Sequence, residues 1–509
     1  MTKTRRLVAV LAGLVVAAVA LTGCGRLPAP ERTPATEGVP ARLLPYYGQQ
    51  IAWDPCNDTA EGSYYCATVT APLDWADPDA GEIGLALIVR VGDDGASPAS
   101  LLINPGGPGA SGYDLVADVA VPVVGTTLAA HYDVVGFDPR GVGRSTAVRC
   151  FDAAEMDAHL FDVPRNPRGS EAWEAELTAA SEAFVAACDA GSDGILPFIT
   201  TENAARDLDL LRAVLGDEQL TYLGFSYGTF LGATYAKLFP ERVGRLVLDG
   251  AIDPSVSGLE VGTTQALGFE SALRAYMADC LIRETCPFRG TVDDAMTDLG
   301  TLLASVDRRP LPNADGRMLG ADSLLTAIIA ALYSRGNWPV LTSALAGALQ
   351  GDPKTAFRLA DFYYDRGPDG YAGNQTEAFT AYNCMDYPDD STAEQEEAAE
   401  ALVAAEAPTI APYWFGVDTC ASWPAAPTGV REPIAAAGAA PLVVIGTTND
   451  PATPYAWSVS LAGQLDSGIL ITREGEGHTG FNKGSACVDD AVVSYLIDGI
   501  VPADGLRCR

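Results

Sequence analysis

A chain of 509 residues, 48% of them hydrophobic and 19% charged, can bury a large core, as one enlarged domain with an insertion or as two or three smaller ones. Its formal net charge of −34 excludes a nucleic-acid partner, because phosphate contact needs a basic face and no basic run follows the N-terminus. The same acidity keeps the protein soluble and would draw cationic substrates, such as peptides with a free ammonium group, toward a cleft.

Taken in order, the chain opens with Lys3, Arg5 and Arg6, an apolar run from Leu7 to Leu21, and Leu21-Thr22-Gly23-Cys24. This is the layout of a charged n-region, an h-region and a cleavage site, and the run is short for a membrane span, which needs about 20 apolar residues. The ending resembles the bacterial lipobox. That resemblance implies cleavage before Cys24, a lipid on its sulfur, and a protein exported and anchored at the outer face of the cytoplasmic membrane. Arg5-Arg6 also fits twin-arginine export. Residues 24–45 hold five prolines and read as an extended tether. Of the 11 cysteines, all but Cys24 make an even set suited to disulfides in an exported chain. Nearest-neighbour pairing joins Cys56 to Cys66, Cys150 to Cys188, Cys280 to Cys286, Cys384 to Cys420 and Cys487 to Cys508. With no zinc-type cysteine spacing and only His131, His159 and His478, neither a metal nor any other cofactor is expected.

Two strands, Cys66 to Leu73 and Ile83 to Val91, precede Leu101-Leu102-Ile103, which runs into Asn104-Pro105-Gly106-Gly107-Pro108-Gly109. A strand that ends in so many glycines exposes backbone N–H groups at its carboxyl end, where an oxyanion donor is needed; Gly107 is the choice, since Pro108 has no N–H. Tyr132 to Phe137 is the next strand. It leads into Asp138-Pro139-Arg140-Gly141, where a structural role for Asp138 and Arg140 is expected. A polar helical stretch and a helix over Asn203 to Leu215, capped by Thr201 or Glu202, come before the central motif.

That motif is Gly224-Phe225-Ser226-Tyr227-Gly228, set between the short strand Leu220 to Leu223 and an apolar helix from Thr229 to Phe239 that Pro240 stops. Strand, sharp turn and helix with flanking glycines lift a serine hydroxyl above a sheet edge, as a nucleophile requires, and place the Tyr227 amide as the second oxyanion donor. After the strand Arg245 to Leu248 the strand rhythm stops. Residues 254–408 carry helical periods, as in Leu267 to Cys280, Ser323 to Tyr333 and Ala393 to Ala405, and predict an all-helical cap inserted between core strands. The core resumes with the strand Pro441 to Gly446, followed by Asp450 in a proline-pinned loop. The strand Ile469 to Thr472, then His478, then a helix from Asp489 to Leu496 close the chain.

Serine is a weak nucleophile until an imidazole takes its proton, and the imidazole needs a carboxylate to hold its tautomer. The order Ser226, Asp450, His478 is the chain order of α/β-hydrolase triads. Asp249, one strand earlier, is the rival acid.

The chain resembles the secreted tripeptidyl and prolyl aminopeptidase family of α/β-hydrolase serine peptidases. The resemblance rests on Asn104 to Gly109, Asp138 to Ser145, Gly224 to Thr229, Leu248-Asp249-Gly250, Asp450 to Pro454, Gly477-His478, Ser485-Ala486-Cys487 and Cys508. It implies an α/β-hydrolase fold, a mostly parallel eight-stranded sheet with a helical cap. The parts are then a signal peptide over 1–23, the tether over 24–45, the core over 46–253 and 409–509, and the cap over 254–408. It also implies a monomeric exopeptidase that releases short peptides, tripeptides in particular, from free N-termini through an acyl-enzyme. An acidic residue should then pair with the substrate ammonium, with Glu270 and Asp386 as candidates. The rival readings are a carboxylesterase or lipase on the same triad, and a surface lipoprotein that binds without catalysis.

Overall fold

The computed structural model describes residues 27, 29–56, 59, 63–93, 99–388 and 391–509, so the signal segment and Cys24 lie outside the described residues. Ten strands form one sheet in the order β1-β2-β3-β5-β4-β6-β7-β8-β9-β10. They are β1 Asp54–Pro55, β2 Tyr64–Pro72, β3 Glu82–Arg90, β4 Ser100–Asn104, β5 Asp133–Phe137, β6 Leu220–Phe225, β7 Val243–Asp249, β8 Leu442–Asn449, β9 Gly468–Glu476 and β10 Leu506–Cys508. The first three pair antiparallel, β3 meets β5 antiparallel, and every pairing from β5 to β10 is parallel. The expected eight strands are therefore present as β2 to β9, and two- and three-residue strands extend the sheet at its edges.

Parallel strands buried on both faces read as continuous apolar runs, and alternate residues divide between two cores. Leu102, Val135, Tyr222, Leu246 and Val444 point to one face. Leu101, Ile103, Val134, Leu223, Val247 and Val443 point to the other. Loops at the carboxyl ends of β4, β6, β8 and β9 thus reach the same rim of the sheet.

The stretch between β7 and β8 is helical, as expected, from Gly258–Leu281 to Ala393–Glu406, with two short antiparallel hairpins at Leu311–Leu319 and Arg366–Tyr371 that the helical periods did not announce. It has its own core, in which Leu273, Leu299, Leu324, Leu345 and Phe357 pack with Ala452 of the Asp450 loop. The cap therefore sits on the catalytic edge of the sheet through shared apolar burial.

Three local expectations change. The helix cap before the nucleophile strand is Thr200, whose side chain accepts the Asn203 N–H, one residue ahead of the expected pair. Residues from Arg32 to Arg42 do not stand away from the body: Arg32 meets the buried Asp133 carboxylate at 2.6 Å and Ala35 N–H donates to Ala213 O at 2.8 Å. His159, expected at the surface, is half-buried and stacked on Phe184 at 4.5 Å, where burial lowers its pKa.

All ten cysteines among the described residues pair as nearest neighbours, Cys56–Cys66, Cys150–Cys188, Cys280–Cys286, Cys384–Cys420 and Cys487–Cys508. The fourth of these ties the helix Gln375–Asp386 to the irregular segment before β8. Arg140 and Asp207 form a buried pair at 2.7 Å, and Arg140 also donates to the carbonyls of Pro72, Leu73 and Phe198.

For several carboxyls the cost of burial outweighs the partners that favour the anion. Burial pushes Glu377 up to about 7, and Asp217 and Asp386 up to about 6. A carboxyl whose pKa is raised in the fold binds protons that the unfolded chain releases. Its contribution to stability is complete below about pH 4 and is lost as pH rises through about 6 to 7. The Tm is therefore expected to climb between about pH 8 and about pH 5, and Glu377→Gln should raise stability near pH 8 by roughly 1–3 kcal/mol. Calorimetry across that range checks both; a Tm that is flat or falls on mild acidification contradicts the expectation.

Candidate active site

Ser226 joins β6 to the helix Tyr227–Leu238 with φ 54° and ψ −124°, a conformation that non-glycine residues rarely hold. The neighbouring glycines make room for it. A Cβ on Gly224 would lie 2.4 Å from Gly228 O, one on Gly228 would lie 2.8 Å from Asn104 Oδ1, and one on Gly106 would lie 2.8 Å from Ser226 Cβ. The turn is closed by Ser226 N–H donating to Asp249 O at 2.9 Å and Thr229 N–H donating to Ser226 O at 2.8 Å.

Asp450 follows β8 and His478 follows β9. His478 Nδ1 lies 2.9 Å from each Asp450 carboxylate oxygen. The carboxylate also accepts the N–H groups of Ala452, Thr453 and Thr479 and the Thr453 hydroxyl. A buried acceptor with this many donors stays in place, so the imidazole that it bonds keeps one orientation. His478 Nε2 is buried and bonds to no other group among the described residues, which leaves it open for a proton.

On the other side of the elbow, Gly106 N–H donates to Asn104 Oδ1 at 3.0 Å. Gly106 is thereby spent on the loop itself. Gly107 N–H and Tyr227 N–H have no partner among the described residues. Asp138 holds the loop from below, accepting from Ser111 Oγ at 2.6 Å, Arg144 N–H at 2.8 Å and Tyr113 N–H at 3.2 Å.

The cap touches both sides of this edge. Tyr333, just past the helix Ala321–Leu332, accepts the His478 backbone N–H at 2.9 Å, and its ring stands edge-on to the imidazole at 5.2 Å. Phe269 and Tyr363 pack on Tyr333. The helix Gln375–Asp386 presses on the glycine loop, so that a Cβ on Gly109 would lie 2.7 Å from Gln375 O. No motif in the sequence marks Tyr333, because a tyrosine at a helix end gains meaning only when the strand ends are assembled beneath it.

The two acidic candidates for an ammonium are both buried and bonded to hydroxyl groups of the protein. Glu270 bonds Thr409 Oγ1 at 2.8 Å inside the cap, and burial raises its pKa. Asp386 accepts Thr201 N–H at 2.9 Å and Thr201 Oγ1 at 2.6 Å, and that hydroxyl in turn meets the Tyr227 hydroxyl at 2.5 Å. Asp386 borders a cavity of about 270 Å³ that none of Ser226, Asp450 and His478 lines. Its contacts make it a brace behind Tyr227 rather than a group that meets substrate. The rival acid Asp249 bonds the Gly480 and Phe481 N–H groups instead of the imidazole.

A family description of the alpha/beta hydrolase fold matches residues 99–294, and one for TAP-like proteins matches residues 407–508. Serine protease Hip1 of Mycobacterium tuberculosis is 35% identical, covering 99% of this chain and 98% of that one. Carboxylesterase B of the same organism is 39% identical over 98% of this chain and 96% of its own. Tripeptidyl aminopeptidase of Streptomyces lividans is 30% identical over 90% of this chain and 86% of its own. The chain belongs to this family of α/β hydrolases. It is a serine hydrolase, with the elbow of the fold at Ser226 and a TAP-like C-terminal part that carries Asp450 and His478.

Because Asp386 acts through Thr201 on Tyr227, Asp386→Asn should lower kcat by the same factor, about 3- to 10-fold, for a free-amine peptide and for an aryl ester that carries no amine. Steady-state kinetics on a matched pair of substrates checks this. A loss confined to the free-amine substrate would restore an ammonium-binding role.

Proposed function

We propose that this protein is an exported serine exopeptidase that releases short peptides, tripeptides in particular, from free N-termini. Ser226 Oγ attacks the scissile carbonyl as its proton passes to His478 Nε2, while Asp450 holds the imidazole through Nδ1 and stabilises the cation that forms. Gly107 and Tyr227 N–H groups receive the oxyanion. The protonated His478 then donates to the leaving amine, the acyl-enzyme forms at Ser226, and water activated by the same imidazole releases the peptide.

The observation that carries the exopeptidase reading is the cap, which meets His478 through Tyr333 on one side of the serine and the glycine loop through Gln375 on the other. A nucleophile flanked in this way favours the end of a chain over an internal segment. Charge supports it too, since a formal net charge of −34 favours a substrate that brings an ammonium. The Hip1 and tripeptidyl aminopeptidase relatives point the same way. The carboxylesterase relative keeps ester hydrolysis by the same residues as the second reading.

Peptide libraries read by mass spectrometry should show cleavage a few residues from free N-termini, none after N-acetylation, and none with Ser226→Ala. Efficient cleavage of acetylated peptides, or turnover of aryl esters with no peptide product, contradicts the proposal. We infer as well that Cys24 carries the lipid that holds the enzyme at the outer membrane face. Cys24→Ala should move the protein from the membrane fraction to the medium, and a variant that stays membrane-bound after high-salt washing would rule the anchor out.

A further inference from the structure

Asp249 closes β7, the strand beside the one that delivers Ser226. Its main chain holds the nucleophile: Asp249 O accepts the Ser226 N–H at 2.9 Å. Its side chain holds the base's loop: the two carboxylate oxygens accept Gly480 N–H at 2.7 Å and Phe481 N–H at 2.8 Å, two and three residues past His478. The following residue is also close to the ring, since a Cβ on Gly250 would lie 3.2 Å from His478 Cε1. One residue therefore fixes the spacing between the strand end that carries the serine and the loop that carries the histidine.

The chemistry of the acceptor matters here. Two N–H groups converge on this side chain, and an ionised carboxylate offers an acceptor to each, whereas a protonated acid or an amide turns one edge into a donor. Asp249 is fully buried, and among the described residues no lysine or arginine pairs with it. The ionisable groups that it faces are His478, which favours its anion, and Asp450, which opposes it. An uncompensated buried charge is expensive. The anion lets one side chain accept both N–H groups, and the positive group near it is the imidazolium formed in the reaction.

We propose that Asp249 is a positioning residue, whose ionised carboxylate locks the Gly480–Phe481 backbone so that His478 faces Ser226, and whose charge supports the imidazolium when the serine proton is transferred. Burial raises its carboxyl to about 6, so this lock loosens as the medium turns acidic. The inference rests on the assignment of Ser226, Asp450 and His478 above.

Asp249→Asn tests it. We expect kcat to fall about 10- to 100-fold with KM within about 2-fold, fluorophosphonate labelling of Ser226 to slow in parallel, and the acid limb of kcat/KM to move to lower pH. Hydrogen–deuterium exchange on the unaltered enzyme gives a second reading that does not depend on a variant folding. After correction for intrinsic rates, the Gly480 and Phe481 amides should be protected near pH 8 and lose protection as pH falls through about 6. A variant with normal kcat per labelled site and an unmoved acid limb, whatever its Tm, overturns the proposal. So does protection that stays constant across that range. Failure of the underlying assignment looks different: the unaltered enzyme would then not be labelled, or Ser226→Ala would be.

Discussion

Ser226 can hold φ 54° and ψ −124° only where no side chain occupies the space around it, and three glycines, one in β6, one in the helix after it and one in the β4 loop, supply that space. The remainder of the site follows from this steric demand. With Gly224 and Gly228 bare, the helix Tyr227–Leu238 can begin directly above β6, and with Gly106 bare the β4 loop can lie against the serine. The Gly107 and Tyr227 amides, on either side of this approach, have no partner among the described residues. The strain is offset by hydrogen bonds from neighbouring strands, of which Asp249 O to Ser226 N–H is the most direct.

The histidine is held in a different way. Its loop lies past the end of β9, where no ladder partner constrains it, so its backbone groups are bonded one at a time. His478 N–H goes to Tyr333 O, Thr479 N–H to Asp450, Gly480 and Phe481 N–H to Asp249, and Thr479 O accepts from Thr447 Oγ1. Two of these partners lie in strands, one in the loop after β8 and one in the cap. Because the cap has its own apolar core and shares Ala452 with the Asp450 loop, it is packed directly against the loop that holds the base.

The acidic residues divide by surroundings. Asp450 is saturated with donors and positions a ring. Asp386 and Asp249 are equally buried but are bonded to backbone and hydroxyl groups, which makes them braces. The exposed remainder of the charge of −34 acts at long range, on solubility and on the approach of cations.

Much of this was legible before folding. The strand pattern, the elbow, the loop of glycines, the order Ser226, Asp450, His478 and the cysteine pairing are all local signals, because each depends on residues close together in the chain or on a fixed chain order. The hairpins at Leu311–Leu319 and Arg366–Tyr371 are not, since two-residue strands show no period, and neither are the packing of Arg32 on Asp133, the burial of His159 and the contact of Tyr333 with His478, since each joins segments separated in the chain. Glu270 and Asp386 show the limit most clearly. An acidic residue in a helical stretch looks the same in sequence whether it faces a cleft, Thr409 or Thr201. By itself the sequence determined which chemical groups the enzyme has and the order in which the sheet presents them, because backbone sterics and apolar periodicity are written locally. Only the tertiary structure decided which carboxylate meets the imidazole and which ones brace the loops behind it, because those choices depend on which strand ends become neighbours and on what each buried charge finds to bond.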